Sequence, residues 1–315
     1  RIHLPLSCLA MAMVQSASQV ALVYSNSSMF YHRVEREFGN LFAEVFRNWI
    51  MQTVGAPFDE FMLEDFASNR RNYRVYIFVN PIYVGARERR TIREKMESDG
   101  ATALWFYAPG LVDEHGPSTS NMHDLTGISF AESPLKEFLH VDITDHHHPY
   151  TAGLPDIADY GSDCDPSVYA QGCGHWNFPS DRMRFRYSPI FVANDPDTSV
   201  LGVQRGVDAP GFVVRPMGRW TSVFSSAPLM PAAIVRAILR AAGVHLYCES
   251  GETVYANSQF VGVTLRRDGT TSISLPGRYR VHDGLAGTSV GTGLDRFTVS
   301  GRRGETRMFV LEAEG

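Results

Sequence analysis

The side chains best equipped for chemistry crowd one stretch of the sequence. Asp142, Asp145, His146, His147 and His148 come first, and Cys164, Cys173 and His175 follow. Imidazole, thiolate and carboxylate all ligate zinc-like ions, which makes Asp145, His146, Cys173 and His175 candidate metal ligands. Their spacing matches no established site, since neither C-x-x-C nor H-E-x-x-H occurs. The competing reading is a polar loop in which His148 is a satisfied structural residue. Cys164 and Cys173 are close enough in sequence to pair in an oxidising compartment, or to remain reduced.

Flat aromatic side chains suggest a second chemistry, the binding of a sugar face. Tyr83, Trp105, Tyr107, Tyr150, Trp176 and Trp220 are the candidates. Trp176, in Gly174-His175-Trp176-Asn177, is the best placed. Trp105 lies inside an apolar run and Trp49 in a helix stripe, so both read as core. Asn80, Tyr107 and His148 join Trp176 as candidates for a sugar-binding or ligand cleft. Glycoside hydrolysis needs two carboxylates about 5–9.5 Å apart. Asp59, Glu60, Glu64 and Asp65 surround one strand end, but no pattern selects a pair and they read as a solvated rim. No catalytic residue is assigned.

These side chains need a frame. Val20–Tyr24 is an apolar run followed by Ser25 to Ser28, the form of a buried parallel strand with a polar loop at its carboxyl end. Leu41, Phe42, Val45, Phe46, Trp49, Ile50 and Val54 mark a helix face that Gly55 stops. Strands are expected at Phe58–Leu63, Val75–Val79 and Ala101–Tyr107, with a helix over Ala86–Ser98. That rhythm belongs to an open α/β sheet, whose ligands sit outside the carboxyl ends of the strands. Ser25 to Ser28, Asn80-Pro81 and Tyr107 to Gly110 would then share one edge. Periodicity fails from Leu111 to about Gly202, apart from short strands at Leu139–Ile143 and Ile190–Ala193. Strands follow at Gly211–Val214 and Trp220–Phe224, with a helix over Pro231–Ala242. Beyond about Leu246 only short β segments and Gly turns remain, which fits a small antiparallel β-sandwich.

The chain has 315 residues, a formal net charge of -5 and 29 Lys and Arg against 34 Asp and Glu. Without a long basic run, a nucleic-acid partner is not expected. No apolar run reaches the ~18–20 residues that span a bilayer, so the chain reads as soluble, and the cytoplasm is favoured without the compartment being fixed. Residues 1–18 read as a lead-in from a missing upstream domain, 19–247 as an α/β domain with an irregular insertion at about 111–205, and 248–315 as a small β domain.

Several stretches together resemble a known family. They are Val54-Gly-Ala-Pro-Phe-Asp59, Tyr107-Ala-Pro-Gly110, Asn121-Met122 with Leu125-Thr-Gly127, and His148-Pro149-Tyr150-Thr-Ala-Gly153-Leu154. Ala242-Gly-Val-His-Leu-Tyr247 and Val254-Tyr-Ala-Asn257 complete the series. In order and spacing it is similar to the region downstream of the catalytic TIM barrel in β-galactosidase-like glycoside hydrolases. The resemblance covers essentially the whole chain. It implies a trimerisation domain of class I glutamine amidotransferase-like, flavodoxin-type fold (an open parallel sheet with helices on both faces) and then the β domain. It further implies self-association, possibly as a trimer, a catalytic barrel upstream of residue 1, a possible carbohydrate ligand and no cofactor. It also accounts for His148-Pro149 as the start of a family turn. An active amidotransferase needs a cysteine nucleophile at a tight strand-to-helix turn. The corresponding Phe106-Tyr107-Ala108-Pro109-Gly110 has neither Cys nor Ser, which implies a fold kept without that activity.

Overall fold

The computed structural model describes residues 15–31, 46–48, 50–154, 157–163 and 186–313. Cys8, Trp49, Cys164, Cys173, His175 and Trp176 lie outside them, as do residues 41–45 of the helix face expected up to Val54. The described chain forms two compact units. One runs from residue 20 to residue 244 without 52–59; the other combines 15–19, 52–59 and 245–313.

The larger unit is built on β1 (Val20–Tyr24), β2 (Phe58–Met62), β3 (Val75–Phe78), β4 (Thr102–Phe106), β5 (His140–Ile143), β6 (Asp159–Gly161), β7 (Ser199–Gln204), β8 (Ala209–Pro216) and β9 (Thr221–Ser225). They lie side by side in the order β6-β5-β7-β8-β9-β4-β3-β1-β2. β1, β3, β4 and β9 are parallel neighbours. From β9 outward, β8, β7, β5 and β6 pair antiparallel. The parallel strands read VALVY, VYIF, TALWF and TSVFS. Such runs need cover on both faces, and they have it. Ala21, Val23, Tyr76, Phe78, Ala103 and Trp105 share one core. The alternate residues Val20, Leu22, Val75, Ile77, Leu104 and Phe106 are equally buried, and Phe46 packs on Phe106 with ring centroids 5.1 Å apart.

Helix α1 (Ala86–Asp99) buries Arg89, Ile92 and Met96, one stripe at helical spacing, and Gly100 ends it at φ 61. Ile92 and Met96 join the first core together with Leu125 of α2 (Thr119–Thr126). Helix α3 (Ala232–Ala241) buries Ile234, Val235, Ile238 and Leu239. Among the described residues, no helix is long and apolar enough to cross a membrane.

Residues 111–205, expected as irregular apart from strands at Leu139–Ile143 and Ile190–Ala193, supply α2, strands at both expected places (His140–Ile143 and Ile190–Ala193), and further short strands; β5, β6 and β7 from this stretch join the large sheet. Helix α2 has only eight residues, TSNMHDLT, too polar and short for a periodic signal. Its start is fixed instead by a cap, with Ser120 N–H donating to Ser118 Oγ at 3.1 Å.

The smaller unit is one continuous antiparallel sheet of β10 (Thr253–Ala256), β11 (Phe260–Thr264), β12 (Gly269–Asp283), β13 (Ser289–Gly301) and β14 (Thr306–Ala313), ordered β10-β11-β14-β12-β13. Its core holds Val261, Val263, Ile273, Val281, Phe309 and Leu311. Thr271–Leu275 and Tyr279–His282, each the length of a short β segment, are halves of the single strand β12. Its register to β13 shifts between Ser274 and Tyr279, where Pro276 and Gly277 sit. Pro lacks the ladder N–H, so the strand passes this point as an irregularity instead of ending there. Gly55 belongs to this unit too. At φ 83, a Cβ there would fall 1.5 Å from the Cys248 carbonyl oxygen, so only glycine fits.

Candidate functional site

Because β1, β3, β4 and β9 are parallel, their carboxyl ends form one edge, and the loops expected to meet there do meet. Asn80 follows β3 and is 6% exposed. Its Oδ1 accepts from Ser25 N–H at 2.8 Å and its Nδ2 donates to the Ser25 carbonyl at 3.1 Å. The amide therefore straps the loop after β1 to the loop after β3.

Tyr107 follows β4 at φ 59, a left-handed backbone that non-glycine residues adopt at a cost of about 1–2 kcal/mol. It makes a sharp elbow at the end of β4, although the next helix, α2, starts only at Thr119. The tyrosine there is engaged: its hydroxyl donates to the Pro189 carbonyl at 2.8 Å, and its ring meets Tyr187 and Phe191 at 5.8 Å. Burial, and secondarily the charge of Glu132, raises its phenol well above the ordinary range. The elbow side chain is thus a neutral donor locked into packing. Tyr107→Phe leaves the Pro189 carbonyl without this donor and is expected to lower stability by about 1 kcal/mol in urea unfolding, with the slope unchanged.

A cleft of about 200 Å³ opens beside this edge. Leu63, Phe66, Val84 and Ile92, all buried, form its floor; Ser27, Glu64, Tyr83, Arg87, Glu88 and Thr91 bring polar groups to it. Order β2-β1-β3-β4-β9 reverses direction between β1 and β3, which is where open α/β sheets hold ligands. Glu64 accepts from Ser27 N–H at 2.9 Å, from Ser27 Oγ at 3.0 Å and from Asn26 N–H at 3.4 Å. Partial burial raises its pKa, but the hydrogen bonds led by Ser27 outweigh this and hold it below the usual value. A carboxylate depressed in the folded state contributes stability above its unfolded pKa and loses it as pH falls through the folded pKa. The urea midpoint of the wild type should therefore fall further than that of Glu64→Gln between about pH 7 and pH 3.

His148 sits in a turn after β5. Its Nδ1 accepts from Tyr150 N–H at 3.2 Å, and its ring meets Tyr150 edge-on at 4.7 Å. Burial lowers its pKa, against the opposing charge of Asp145. Asp145 Oδ1 accepts from His147 N–H at 2.7 Å and from His148 N–H at 3.3 Å; the first of these chiefly holds its pKa down. Asp145 thus closes a turn, with His146 exposed beside it. Of the aromatic candidates, Trp105, Trp220 and Tyr150 are buried, whereas Tyr83 borders the cleft.

The structure assembles a cluster that spacing did not reveal. His140 of β5, 3% exposed, holds Asp163 Oδ1 at 2.5 Å through Nδ1, while Nε2 lies 3.4 Å from Asp159 Oδ2 and 3.8 Å from Asp142 Oδ1. His140, Asp142 and Asp159 are, among the described residues, the one group of ligand-type side chains gathered closely enough for a metal. Arg205 already binds both carboxylates, reaching Asp159 Oδ2 at 2.9 Å and Asp142 Oδ2 at 3.1 Å. A cation would have to displace that guanidinium, so the donor set suits an internal ion network better than a metal. The available signal was His140 and Asp142 two residues apart, on one face of a strand; Asp159, Asp163 and Arg205 come from elsewhere in the chain.

The strand order β2-β1-β3-β4-β9 is that of a flavodoxin-like doubly wound sheet, here extended by antiparallel strands and accompanied by an antiparallel β unit. No family model matches the chain, and no curated protein matches it in sequence. Solved structures do match. The β-galactosidase of Bacillus circulans sp. alkalophilus aligns over 96% of this chain and 42% of its own, with a TM-score of 0.61 at 13% identity. The E323A catalytic mutant of Gan42B, a GH42 β-galactosidase of G. stearothermophilus, aligns over 93% and 40%, with 0.60 and 13%. The β-galactosidase of the Antarctic haloarchaeon Halorubrum lacusprofundi aligns over 94% and 40%, with 0.58 and 13%. The chain therefore has the fold of the C-terminal part of such β-galactosidases, as its motif series suggested, and spans about two fifths of their length.

Proposed function

We propose that this chain is the non-catalytic, assembly-forming region of a carbohydrate-active enzyme of the β-galactosidase type, working with a catalytic barrel supplied upstream. The observation that carries this reading is the alignment of 96% of this chain with 42% of a longer β-galactosidase. The turn after β4 supports it: Tyr107, at the position where the motif resemblance would put an amidotransferase nucleophile, is a neutral phenol tied to Pro189. On this reading the chain self-associates, as a trimer, and shapes the barrel's surroundings. Cys248 is a free, buried thiol, which suits a reducing compartment, and we place the protein in the cytoplasm.

The test compares three polypeptides: one extended upstream to include a barrel, the same one ending before Arg1, and the 315-residue chain. Size-exclusion chromatography with light scattering reads assembly, and a chromogenic β-galactoside reads activity. The extended form should be oligomeric and active, the form lacking this region should lose its assembly, and the 315-residue chain should be inactive. Hydrolysis by the chain alone, or assembly and activity unaffected by its removal, would sink the proposal.

A further inference from the structure

The cleft beside α1 has no part in the assembly reading. In doubly wound sheets this edge commonly receives a phosphate, because the loop after the first strand and a helix N-terminus present N–H groups to it. Here the chain fills that anion position itself. The Glu64 carboxylate takes the N–H groups of Asn26 and Ser27. Glu88, in the first turn of α1, lays its carboxylate against Gly85, where an added Cβ would lie 2.3 Å from Glu88 Oε2. With two carboxylates and the single guanidinium of Arg87 around it, the remaining space does not favour an anion.

What the space does favour follows from its walls. The floor is apolar. Tyr83 lines one side, its ring stacked on Tyr31 at 5.6 Å and 8°. Around them stand carboxylates that accept hydrogen bonds from hydroxyls, and the Arg87 guanidinium and Tyr83 hydroxyl that can donate. A pyranose has this complementary form, with C–H faces that pack on rings and aliphatic side chains and hydroxyl edges that pair with fixed polar groups. About 200 Å³ is a small site, suited to one sugar unit and not to a chain of them.

We propose that the cleft formed by Leu63, Glu64, Tyr83, Arg87 and Glu88 binds a single neutral pyranose.

Saturation-transfer NMR on the full 315-residue chain tests this, with methyl β-D-galactopyranoside as probe and inorganic phosphate as competitor. Binding in the millimolar range is expected. Tyr83→Ala and Glu88→Gln should each weaken it about tenfold, near 1.4 kcal/mol, while Tyr255→Ser, in the other unit, should leave it unchanged. Thermal melts confirm that each variant is folded; if Tyr83→Ala is not, the isosteric Glu88→Gln decides. Absence of saturation transfer with the wild type, affinity retained in the folded variants, or displacement of the sugar by phosphate would each overturn the proposal. None of these outcomes bears on assembly, so the two proposals fail separately.

Discussion

Trp105→Ala is expected to lower the stability of the α/β unit by roughly 3–5 kcal/mol. Trp105 is fully buried in the middle of β4 and stacks on Phe78 of β3 with centroids 4.2 Å apart and planes 14° from parallel. Its indole N–H donates to Ser222 Oγ at 3.0 Å, and Ser222 is fully buried as well. Truncation combines two losses: a cavity that neighbouring β-strands cannot close, and a hydroxyl left without its donor in a dry core. Trp105→Phe separates them, since it retains much of the volume and loses the donor; it should cost clearly less. Urea unfolding followed by circular dichroism reads both. A loss below about 1 kcal/mol for Trp105→Ala would show that the core around β3 and β4 is less closely packed than described.

Arg89→Met is the second large effect, at about 3 kcal/mol. Arg89 projects from α1 at 5% exposure. It donates to Asp113 at 3.2 Å, to Asp124 at 2.8 Å and to the Val84 carbonyl at 2.8 Å. One guanidinium therefore ties α1 to α2, to the loop that precedes α1 and to the segment after β4. Methionine fills comparable space and supplies no donor, leaving Asp113 without its charge partner. Adding Asp113→Asn removes the stranded charge and should recover part of the loss. Arg93 also reaches Asp124, at 3.1 Å, but is 43% exposed, so Arg93→Met should cost well under 1 kcal/mol. Equal effects at the two arginines would contradict the role given to burial.

The parallel core was legible because its strands are continuous apolar runs. VALVY matches β1 in both bounds, and the expected helix over 86–98 differs from α1 by one residue. Strands β6 and β7 were not legible. β6, three residues long, is held by pairing with β5; β7, six residues long, pairs with β5 on one side, some sixty residues back, and with β8 on the other. The candidate site divides similarly. Its position at the carboxyl edge followed from the strand rhythm, but Glu64, which reads as a solvated carboxylate, turned out to organise the loop after β1 through three hydrogen bonds. Glu88 lay inside a helix pattern and gave no separate signal.

By itself, the sequence determined the parallel strands, two of the helices, the change to β structure after residue 246, and an elbow with neither cysteine nor serine. Each follows from local chemistry: apolar runs, helical spacing, glycine stops and residue type. Only the tertiary structure decided what Asn80, Tyr107 and His148 do, and that His140, Asp159, Asp163 and Arg205 converge. A polar side chain acquires its role from its burial and its partners, and those partners are far away in the chain, as Ser25 is from Asn80 and Pro189 from Tyr107.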